Sequence, residues 1–464
     1  MAVWSIASKK EVAEWHRLDA EFWRPDYRAV YNQLSKRNDV QTLGKIAKRM
    51  RKGIFDIPAD EYVQTGVPFL RVSNVKPILL DLNNVAFISE ARNEHDTKTC
   101  FHRGDVVLNK TGDIGAAVIG LPTCNISQDL VGVEMRDRMK HNTFYLAAFL
   151  DSKFGQMQLR RWFQGQVQMH LALSDARKLL VAFPHKEQQK QVEQTVLAAE
   201  REGKTAESLY HQAEEMLLGA VSFEKVDLSW SPGYLVNVKD AAKFSRIDAE
   251  HFQPKYARLI RHLEKTGKAV KLGDIAPKPH RGVQPRYVEG GDVLAVNSRY
   301  VGKQFINIEH CERTDRAFYD ANKRAVARKY DVSMNSTGWG TIGRANCVLH
   351  DEPTVVDNHV TIIRPTCNPI YLAVFLNSSL GQLQTNQWLS GSSGQIEIYP
   401  ADIVRYTVFL PSPGFQQKIA GLVTAAYEAR AKAKKLLEAA KQKVEDLIGG
   451  TGQVSIPALG ALAH

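Results

Sequence analysis

The sequence predicts an α+β protein: two tandem domains of mixed short strands and helices, separated by two long antiparallel coiled-coil helices and related by a pseudo-twofold internal repeat. Three observations predict it. Segments recur in one order at a nearly constant spacing. Each repeat contains a section rich in glycine and β-branched residues. A long stretch with apolar residues at three- and four-residue steps follows each section.

Two pairs of segments establish the repeat. Residues 17–34 (RLDAEFWRPDYRAVYNQL) match residues 246–263 (RIDAEHFQPKYARLIRHL) at seven of 18 positions, with an offset of 229. Residues 145–162 match residues 371–388 at ten of 18 positions, with an offset of 226. Because unrelated segments would not match in one order at one spacing, the chain is expected to be a duplication of a unit of about 229 residues.

Each repeat is expected to contain the same elements in order. A short helix with Asp-Ala-Glu comes first, followed by short strands and turns. Next come a helix beginning near Tyr145 or Tyr371 and a long helix preceded by Pro184 or Pro411. The expected boundaries are 1–184 and 229–411 for the mixed domains, 185–222 and 414–448 for the long helices, and 449–464 for a flexible tail.

A coiled-coil pattern predicts that the two long helices pack on each other. Each has about 34 residues, which corresponds to ~50 Å of helix, and an alanine-rich apolar stripe along one side needs a partner. Lys443 interrupts the second stripe, and Gly203 fills a gap in the first. The alternative is that each long helix packs on its own domain. The predicted stripes are Val192, Val196, Ala199, Ala206, Tyr210, Ala213 and Leu217, and Ile419, Leu422, Ala426, Ala429, Ala433, Leu436, Ala440 and Leu447.

Composition and charge narrow the class of function. The 464 residues are 44% hydrophobic and 24% charged, which is typical of globular domains. The net charge of +11 favours a polyanionic partner, because lysine and arginine displace counterions from phosphates. Five cysteines without a C-x-x-C pair argue against a disulfide framework or a zinc ribbon. No signal core or membrane-length apolar run is present, so a soluble cytoplasmic protein is expected.

Basic and polar loops supply the candidate DNA-binding residues. The two repeats agree in their helices but differ in the loops at 48–55 and 277–287 and in those after each helix, 165–175 and 391–402. Two domains that recognise different DNA sequences would need shared helices with different loops, because arginine and glutamine bond to base edges and lysine to phosphates. For any single residue, a solvated loop or a turn-capping role stays open. The candidates are Arg49, Arg51, Lys52, Lys110, Arg160, Arg161, Gln166, Gln168, His170, Lys278, His280, Arg281, Gln284, Arg286, Arg299, Ser392, Ser393 and Gln395.

The patterns of catalytic chemistry in the sequence are incomplete. Gly338–Gly343 matches G-x-G-x-x-G, but no good helix follows, so a tight turn is expected. Asn368–Tyr371 resembles the Asn-Pro-Pro-Tyr motif of adenine methyltransferases but lacks its second proline, and no glycine-rich cofactor loop accompanies it. The Asp-Ala-Glu acids are expected to be structural or partner-facing, and Trp162 and Trp388 are expected in the core. No catalytic residue and no metal site are predicted.

The order of these segments resembles the specificity subunits of type I restriction–modification systems over nearly the whole chain. The strings that carry the resemblance are DAE with its following proline and tyrosine, LGKIA and LGDIA, GVPFLRVSNV (66–75), the TG-x-x-G turn (111–115), and the proline–glutamine start of each long helix. The second repeat departs from the pattern at 290–300, where GGDVLAVNSRY stands in place of GVPFLRVSNV.

This resemblance implies a DNA-recognition subunit without chemistry of its own. Each target-recognition domain would read one half of a bipartite double-stranded DNA site, with a gap set by the long helices. Two methyltransferase subunits would dock and methylate adenine with S-adenosylmethionine, and restriction subunits using ATP and Mg can join. The alternatives are a stand-alone sequence-specific DNA-binding protein and, less favoured, a cofactor-dependent enzyme or nuclease.

Overall fold

The computed structural model describes residues 5–112, 114–165, 170–391 and 396–449. Contacts between residues divide the chain into two units. The first runs to Gly203 and resumes at Ala431, and the second is Lys204–Arg430. Each unit therefore contains one half of each long helix. The finer domain boundaries given above stay predictions.

The first unit combines helices with a small antiparallel sheet and two larger sheets. The helices of the first repeat of the chain are α1 (Lys9–Trp15), α2 (Pro25–Ser35), α3 (Leu43–Ile46), α4 (Glu90–His95), α5 (Thr143–Asp151), α6 (Lys153–Trp162), α7 (Leu173–Ala176) and α8 (Lys186–Ala220). Its strands are β1 (Val40–Thr42), β2 (Ala47–Lys52), β3 (Tyr62–Val63), β4 (Val67–Leu70), β5 (Ala86–Ile88), β6 (Cys100–His102), β7 (Val106–Asn109), β8 (Ala116–Val118), β9 (Thr123–Ile126), β10 (Leu130–Met135) and β11 (Leu180–Ala182).

The strands of the first unit form a β1–β11 pair, a four-stranded sheet in the order β2-β10-β7-β8 and a five-stranded sheet in the order β3-β5-β4-β9-β6. The four-stranded sheet is antiparallel. Helices α5 and α6 supply the core, because Tyr145, Phe149 and Trp162 are fully or almost fully buried there. Trp162 is thus a core residue, as predicted.

The second repeat has a similar arrangement, and only its last helix extends beyond the second unit. Its helices are α9 (Val238–Phe244), α10 (Pro254–Glu264), α11 (Leu272–Ile275), α12 (Arg316–Ala321), α13 (Pro369–Asn377), α14 (Ser379–Trp388), α15 (Pro400–Ile403) and α16 (Pro413–Gly449). Its strands are β12 (Ala269–Lys271), β13 (His280–Arg281), β14 (Val293–Val296), β15 (Glu312–Thr314), β16 (Val326–Ala327), β17 (Val332–Asn335), β18 (Ala345–Cys347), β19 (Thr354–Val356), β20 (Val360–Ile363) and β21 (Thr407–Phe409). They form a β12–β21 pair and sheets in the orders β13-β20-β17-β18 and β15-β14-β19-β16.

The strand register shows that the duplication is structural. Lys52 pairs with Val131, and its equivalent Arg281 pairs with Thr361, 230 residues after Val131. In the segment where the second repeat departs in sequence, β14 still runs parallel to β19, as β4 runs parallel to β9. The α+β fold with an internal repeat is therefore confirmed, and Trp388 is buried like Trp162.

The Asp-Ala-Glu motif has the same local role in both units. Arg17 Nε donates to Asp19 Oδ1 at 2.6 Å, and Tyr27 Oη donates to Glu21 Oε1 at 2.8 Å. In the second unit, Arg246 Nε donates to Asp248 Oδ2 at 2.7 Å, and Tyr256 Oη donates to Glu250 Oε1 at 2.5 Å. These bonds hold the start of α2 against the Asp-Ala-Glu segment just before it, and the start of α10 against the second Asp-Ala-Glu segment. This shared structural role accounts for the recurrence of the motif.

The glutamine after each proline fastens a long helix to its unit. Gln189 Nε2 donates to Pro184 O at 2.8 Å, and its Oε1 accepts from Asn142 N at 3.0 Å. Gln416 makes the same two bonds, at 2.8 and 3.0 Å, with Pro411 O and Asn368 N. Asn142 and Asn368 also cap α5 and α13.

The halves of the long helices run antiparallel to each other within each unit. In the first unit, the beginning of α8 shares one core with the end of α16 through Val192, Val196, Ala440, Val444 and Ile448. In the second unit, the end of α8 shares a core with the beginning of α16 through Tyr210, Ala213, Leu217, Ile419, Val423 and Ala426. These cores also contain domain residues, so the predicted pairing and the alternative packing on the domain occur together.

The fully buried positions at the end of the second long helix are shifted by one residue from the predicted stripe, although Leu447 still packs against the same core. After Ala440 the buried positions are Val444 and Ile448, whereas Lys443 and Leu447 are only partly buried. The buried positions here follow four-residue steps because this end of α16 packs on the domain core as well as on α8.

Candidate nucleic-acid interface

One end of the four-stranded sheet brings the candidate residues of the first unit together. Strands β2 and β7 end where β10 and β8 begin, since Gly53 N donates to Leu130 O at 3.3 Å and Lys110 N donates to Asp129 O at 2.7 Å. Lys52 and Lys110 therefore lie at the same end of the sheet.

The loop after α6 joins this end. Leu171 N donates to Lys110 O at 2.8 Å, and Thr111 pairs with His170 in an antiparallel bridge. We call this end, with Arg51, Lys52, Lys110 and His170, the first loop edge. Gln166 and Gln168 belong to the same loop but lie outside the described residues.

The second unit has an equivalent end, built by the same backbone contacts. Ile398 N donates to Ser336 O at 2.9 Å, and Thr337 pairs with Glu397 in an antiparallel bridge. Arg281 reaches this point from the end of β13 and donates from Nη2 to Ile398 O at 3.0 Å. We call this end, with Arg281, Thr337 and Glu397, the second loop edge. Ser392, Ser393 and Gln395 lie outside the described residues.

Some other candidates of the second unit lie beside the second loop edge. Asn335 Nδ2 donates to Ser298 O at 2.9 Å, which holds the exposed Arg299 next to the end of β17. Lys278 is exposed just before β13, and half-buried His280 is its first residue. Gln284 and Arg286 are exposed in the segment that follows β13. Arg281 and Arg299 thus lie at this sheet end, whereas Arg286 lies beside β15 of the other sheet, where its backbone O accepts from Thr314 Oγ1 at 2.7 Å.

The two edges carry different side chains on one backbone plan. Arg51 and Lys52 are exposed, and neither side chain has a hydrogen bond or ion pair with the described residues. At the second edge, Arg281 Nη2 lies 3.3 Å from Glu397 Oε2, and its guanidinium lies 5.0 Å from the Tyr399 ring centroid. One edge therefore presents unpaired cations, and the other presents an arginine–carboxylate pair beside an aromatic ring.

Glu397, Tyr399 and Trp339 are edge residues that the sequence reasoning missed. Glu397 stands at the place that His170 occupies in the first unit. A carboxylate can accept from cytosine N4, so it offers a different base preference from an imidazole. The alternation in QIEIY (395–399) was the signal available, because it places glutamate and tyrosine on the same face of an extended segment.

Arg49 has a structural role that accounts for its position. Its Nε lies 3.0 Å from Glu134 Oε2, its Nη2 donates to Cys100 O at 2.7 Å, and its guanidinium lies 4.5 Å from the Phe101 ring centroid. It thereby braces β2 against β6. Lys48 and then Arg49 lower the pKa of Glu134. Arg49 is therefore engaged within the unit, unlike Arg51.

The prediction of Arg161 as a DNA contact is wrong. The residue is buried in the core, where its guanidinium lies 4.1 Å from the Phe22 ring centroid and 4.8 Å from that of Tyr31, and Nε donates to Phe22 O at 3.2 Å. Burial lowers the pKa of the guanidinium to about 10. Arg160, the preceding residue on α6, is half-buried. Adjacent residues of a helix face different sides, so Arg160 and Arg161 cannot both contribute to one DNA-binding surface.

The remaining chemical patterns do not assemble into a reactive centre in the described part of the chain. Gly338–Gly343 forms the turn between the antiparallel strands β17 and β18, as expected, and no helix begins there to receive a phosphate. Among residues 5–112, 114–165, 170–391 and 396–449, no group of histidine, cysteine and acidic side chains could hold a metal ion. No helix in these ranges is both long and apolar enough to span a bilayer.

The fold and site define an internally duplicated α+β protein with two equivalent loop edges that carry different side chains. Neither a protein-family model nor a curated protein sequence matches the chain. The chain is similar to the solved S subunit of a type I restriction–modification system from M. genitalium, at 13% identity and a TM-score of 0.40, over 90% of this chain and 97% of that one.

Two further solved structures are similar. One belongs to a study of complex assembly in a type I restriction–modification system (14% identity, 88% of this chain and 97% of that one, TM-score 0.30). The other is the HsdS subunit from Thermoanaerobacter tengcongensis (15% identity, 89% and 96%, TM-score 0.29). These are structures of the family that the sequence resembles. The proposed function therefore rests on the residues of this chain.

Proposed function

We propose that this chain is the DNA-recognition subunit of a type I restriction–modification complex, in which each unit reads one half of a bipartite site. One observation carries the proposal: the same sheet end occurs twice, on equivalent strands, with different polar and charged side chains. A shared backbone plan with different edge chemistry suits two readers of two different short sequences.

The chemistry of the edges suits DNA. Unpaired Arg51 and Lys52 can contact phosphates or guanine, and a paired Arg281–Glu397 can present both a donor and an acceptor to base edges. Each good base contact contributes ~1–3 kcal/mol of discrimination, so a few contacts per unit give modest specificity. Joining two such readers in one chain raises the affinity through effective concentration.

Equivalent exposed apolar residues support docking of two copies of one partner. Leu18 is 85% exposed in the first unit, and its equivalent Ile247 is 96% exposed in the second. Ile6 and its equivalent Leu235 are exposed as well. Aliphatic side chains with this exposure are available for contacts with a partner. Their recurrence at an offset of 229 fits one partner bound once per unit.

In this proposal the partner is a methyltransferase subunit that carries S-adenosylmethionine and methylates adenine in each half-site. Restriction subunits using ATP and Mg would add cleavage. This chain contributes recognition and scaffolding and no catalytic group. A stand-alone DNA-binding protein is the competing function, and the two differ in whether a methyltransferase accompanies the chain.

Purification of the native chain from its own cells tests the proposal. We expect two methyltransferase copies per chain. Leu18→Glu and Ile247→Glu should each reduce this to one copy, and the double variant to none, because a charge in an apolar contact is not compensated. Met139→Glu, at another exposed apolar position, is the control and should retain both copies. A solitary wild-type chain, or two copies retained by the double variant, would contradict the proposed docking.

A further inference from the structure

The hairpin turns at the two loop edges differ in length. Asn109 N donates to Gly115 O at 2.9 Å, and at the equivalent place Asn335 N donates to Arg344 O at 2.8 Å. Five residues separate the first pair and eight separate the second, so the second turn has three additional residues. The additional length lies within Ser336–Gly343 and has no counterpart in the first unit.

Trp339 occupies this longer turn, and 78% of its surface is exposed. Its neighbours Gly338 and Gly340 have φ angles of +103° and +76°, in the left-handed range that favours glycine. The chain thus uses two glycines to place a tryptophan at the tip of a turn. The exposed indole offers a flat aromatic face on which a ligand can stack.

Hydrogen bonds and close packing hold the turn that carries Trp339 in place. Ile342 N donates to Gly338 O at 3.0 Å, and Asn335 Nδ2 donates to Thr341 O at 3.2 Å. A Cβ at Gly343 would approach Thr385 Cγ2 to 2.8 Å, so the end of the turn packs closely on α14. A ring presented on a turn of this kind loses little conformational entropy when it binds.

Two arginines lie at or near the turn. Arg344 Nη2 donates to Gly340 O at 2.8 Å, so a guanidinium lies against the turn itself. Arg281 reaches the same edge through Glu397, whose backbone pairs with Thr337. Arginines beside an exposed aromatic ring suit nucleic acid, because the ring can stack on a base while the guanidinium contacts phosphate or a base.

We propose that Trp339 inserts between two base pairs in the half-site read by the second unit and stacks on an unstacked base. This inference rests on the proposed function. Apolar side chains that enter the duplex open one base step, and pyrimidine–purine steps open most readily. We therefore expect a step of this kind in one half-site only, because the first unit has neither the longer turn nor its tryptophan.

The test uses the native complex and duplexes that carry 2-aminopurine at successive positions through both half-sites. The methyltransferase turns its target base out of the duplex, so a rise is expected at the methylated adenine of each half-site. Wild-type protein should also raise the fluorescence at one further step, in one half-site only. Trp339→Ala should abolish that rise and weaken binding between roughly fivefold and a hundredfold, and Trp339→Phe should retain part of both. The control is Tyr330→Ala, which changes an exposed aromatic residue at the opposite end of the same hairpin and should leave both signals unchanged.

Two results would overturn the insertion. One is a Trp339→Ala complex that keeps the fluorescence rise at the further step, and the other is an equal loss of binding in Trp339→Ala and Tyr330→Ala. Absence of any sequence preference in the wild-type complex would instead contradict the proposed function itself. That outcome is distinguishable because it is observed before any variant is compared.

Discussion

Asp151 places a carboxyl group in the core of the first unit, and replacing it with asparagine is expected to remove a loss of stability that the wild type undergoes as the pH rises. The residue ends α5, where its carboxylate accepts from Ile78 N at 2.6 Å and Ala116 N at 3.2 Å. Burial raises the pKa of this carboxyl to about 7, against the lowering effect of those two bonds. The second unit has Asn377 at the equivalent position, where its side chain accepts from Ala345 N and donates to Ala373 O, each at 3.0 Å.

The magnitude follows from the difference between the folded and unfolded pKa. A carboxyl whose pKa rises from 3.8 to about 7 on folding binds its proton more tightly when folded. Its contribution to stability is complete below pH 3.8 and is lost as the pH rises through 7, to a total of about 4 kcal/mol. Asparagine does not titrate. An asparagine at this position would have one acceptor oxygen for two N–H donors, so Asp151→Asn loses one of these bonds at every pH. The unfolding free energy of the variant minus that of the wild type should therefore be about 3 kcal/mol larger at pH 8.5 than at pH 4.5.

Urea titration with a hydrogen-exchange pulse at constant pH measures this effect for each unit separately. Peptides from α5, β7 and β8 report on the first unit, and those from α13, β17 and β18 report on the second. The matched control is Asn377→Asp, which should destabilise the second unit at pH 8.5 and leave the first unchanged. A difference in unfolding free energy between Asp151→Asn and the wild type that is the same at pH 4.5 and pH 8.5 would refute the reasoning.

Three further predictions concern the edges, the core and the long helices. Arg51→Ala should reduce the discrimination between bases in one half of the methylated sequence, and Arg281→Ala in the other, by ~1–3 kcal/mol per base pair. Binding to base-substituted duplexes measures this loss, and an equal loss of affinity for all DNA would indicate phosphate contacts instead. Arg161→Ala should lower the unfolding free energy of the first unit by about 3 kcal/mol through lost packing, without changing the methylated sequence; a changed sequence would restore it as a DNA contact. Deleting one heptad from both α8 and α16 should shorten or abolish the permitted gap between half-sites, as mapped by methylation; an unchanged site would refute the idea that the helices set the gap.

The repeat and the core could be predicted from the sequence because both depend on local patterns. Tyr145, Trp162, Tyr371 and Trp388 recur at matching helical positions, and each is buried. Burial of large apolar side chains constrains a helix strongly, so its pattern persists in both copies. The prolines before the long helices indicated their starts, because proline is common where a helix begins. The hydrogen bonds of Gln189 and Gln416 were beyond prediction, since they join residues about 50 positions apart.

The candidate site could be predicted only as a set of loops. Residue type marked Arg51, Lys52 and Arg281 as polar surface candidates, but the neighbours of a loop residue depend on strand order. The sequence could not show that Arg281 and Glu397 meet, because they are 116 residues apart. Residue type also misled at Arg161, since one helix face turns that arginine into an aromatic core while its neighbour remains half-buried.

The most direct test of the central claim is genome-wide mapping of methylated adenine in cells with and without this gene. We expect a single asymmetric motif of two short parts separated by a gap of fixed length, and its methylation should vanish when the gene is deleted. Methylation of that kind would come from two different readers in one chain. Unchanged adenine methylation after deletion, or loss of methylation only at an uninterrupted motif, would contradict the account.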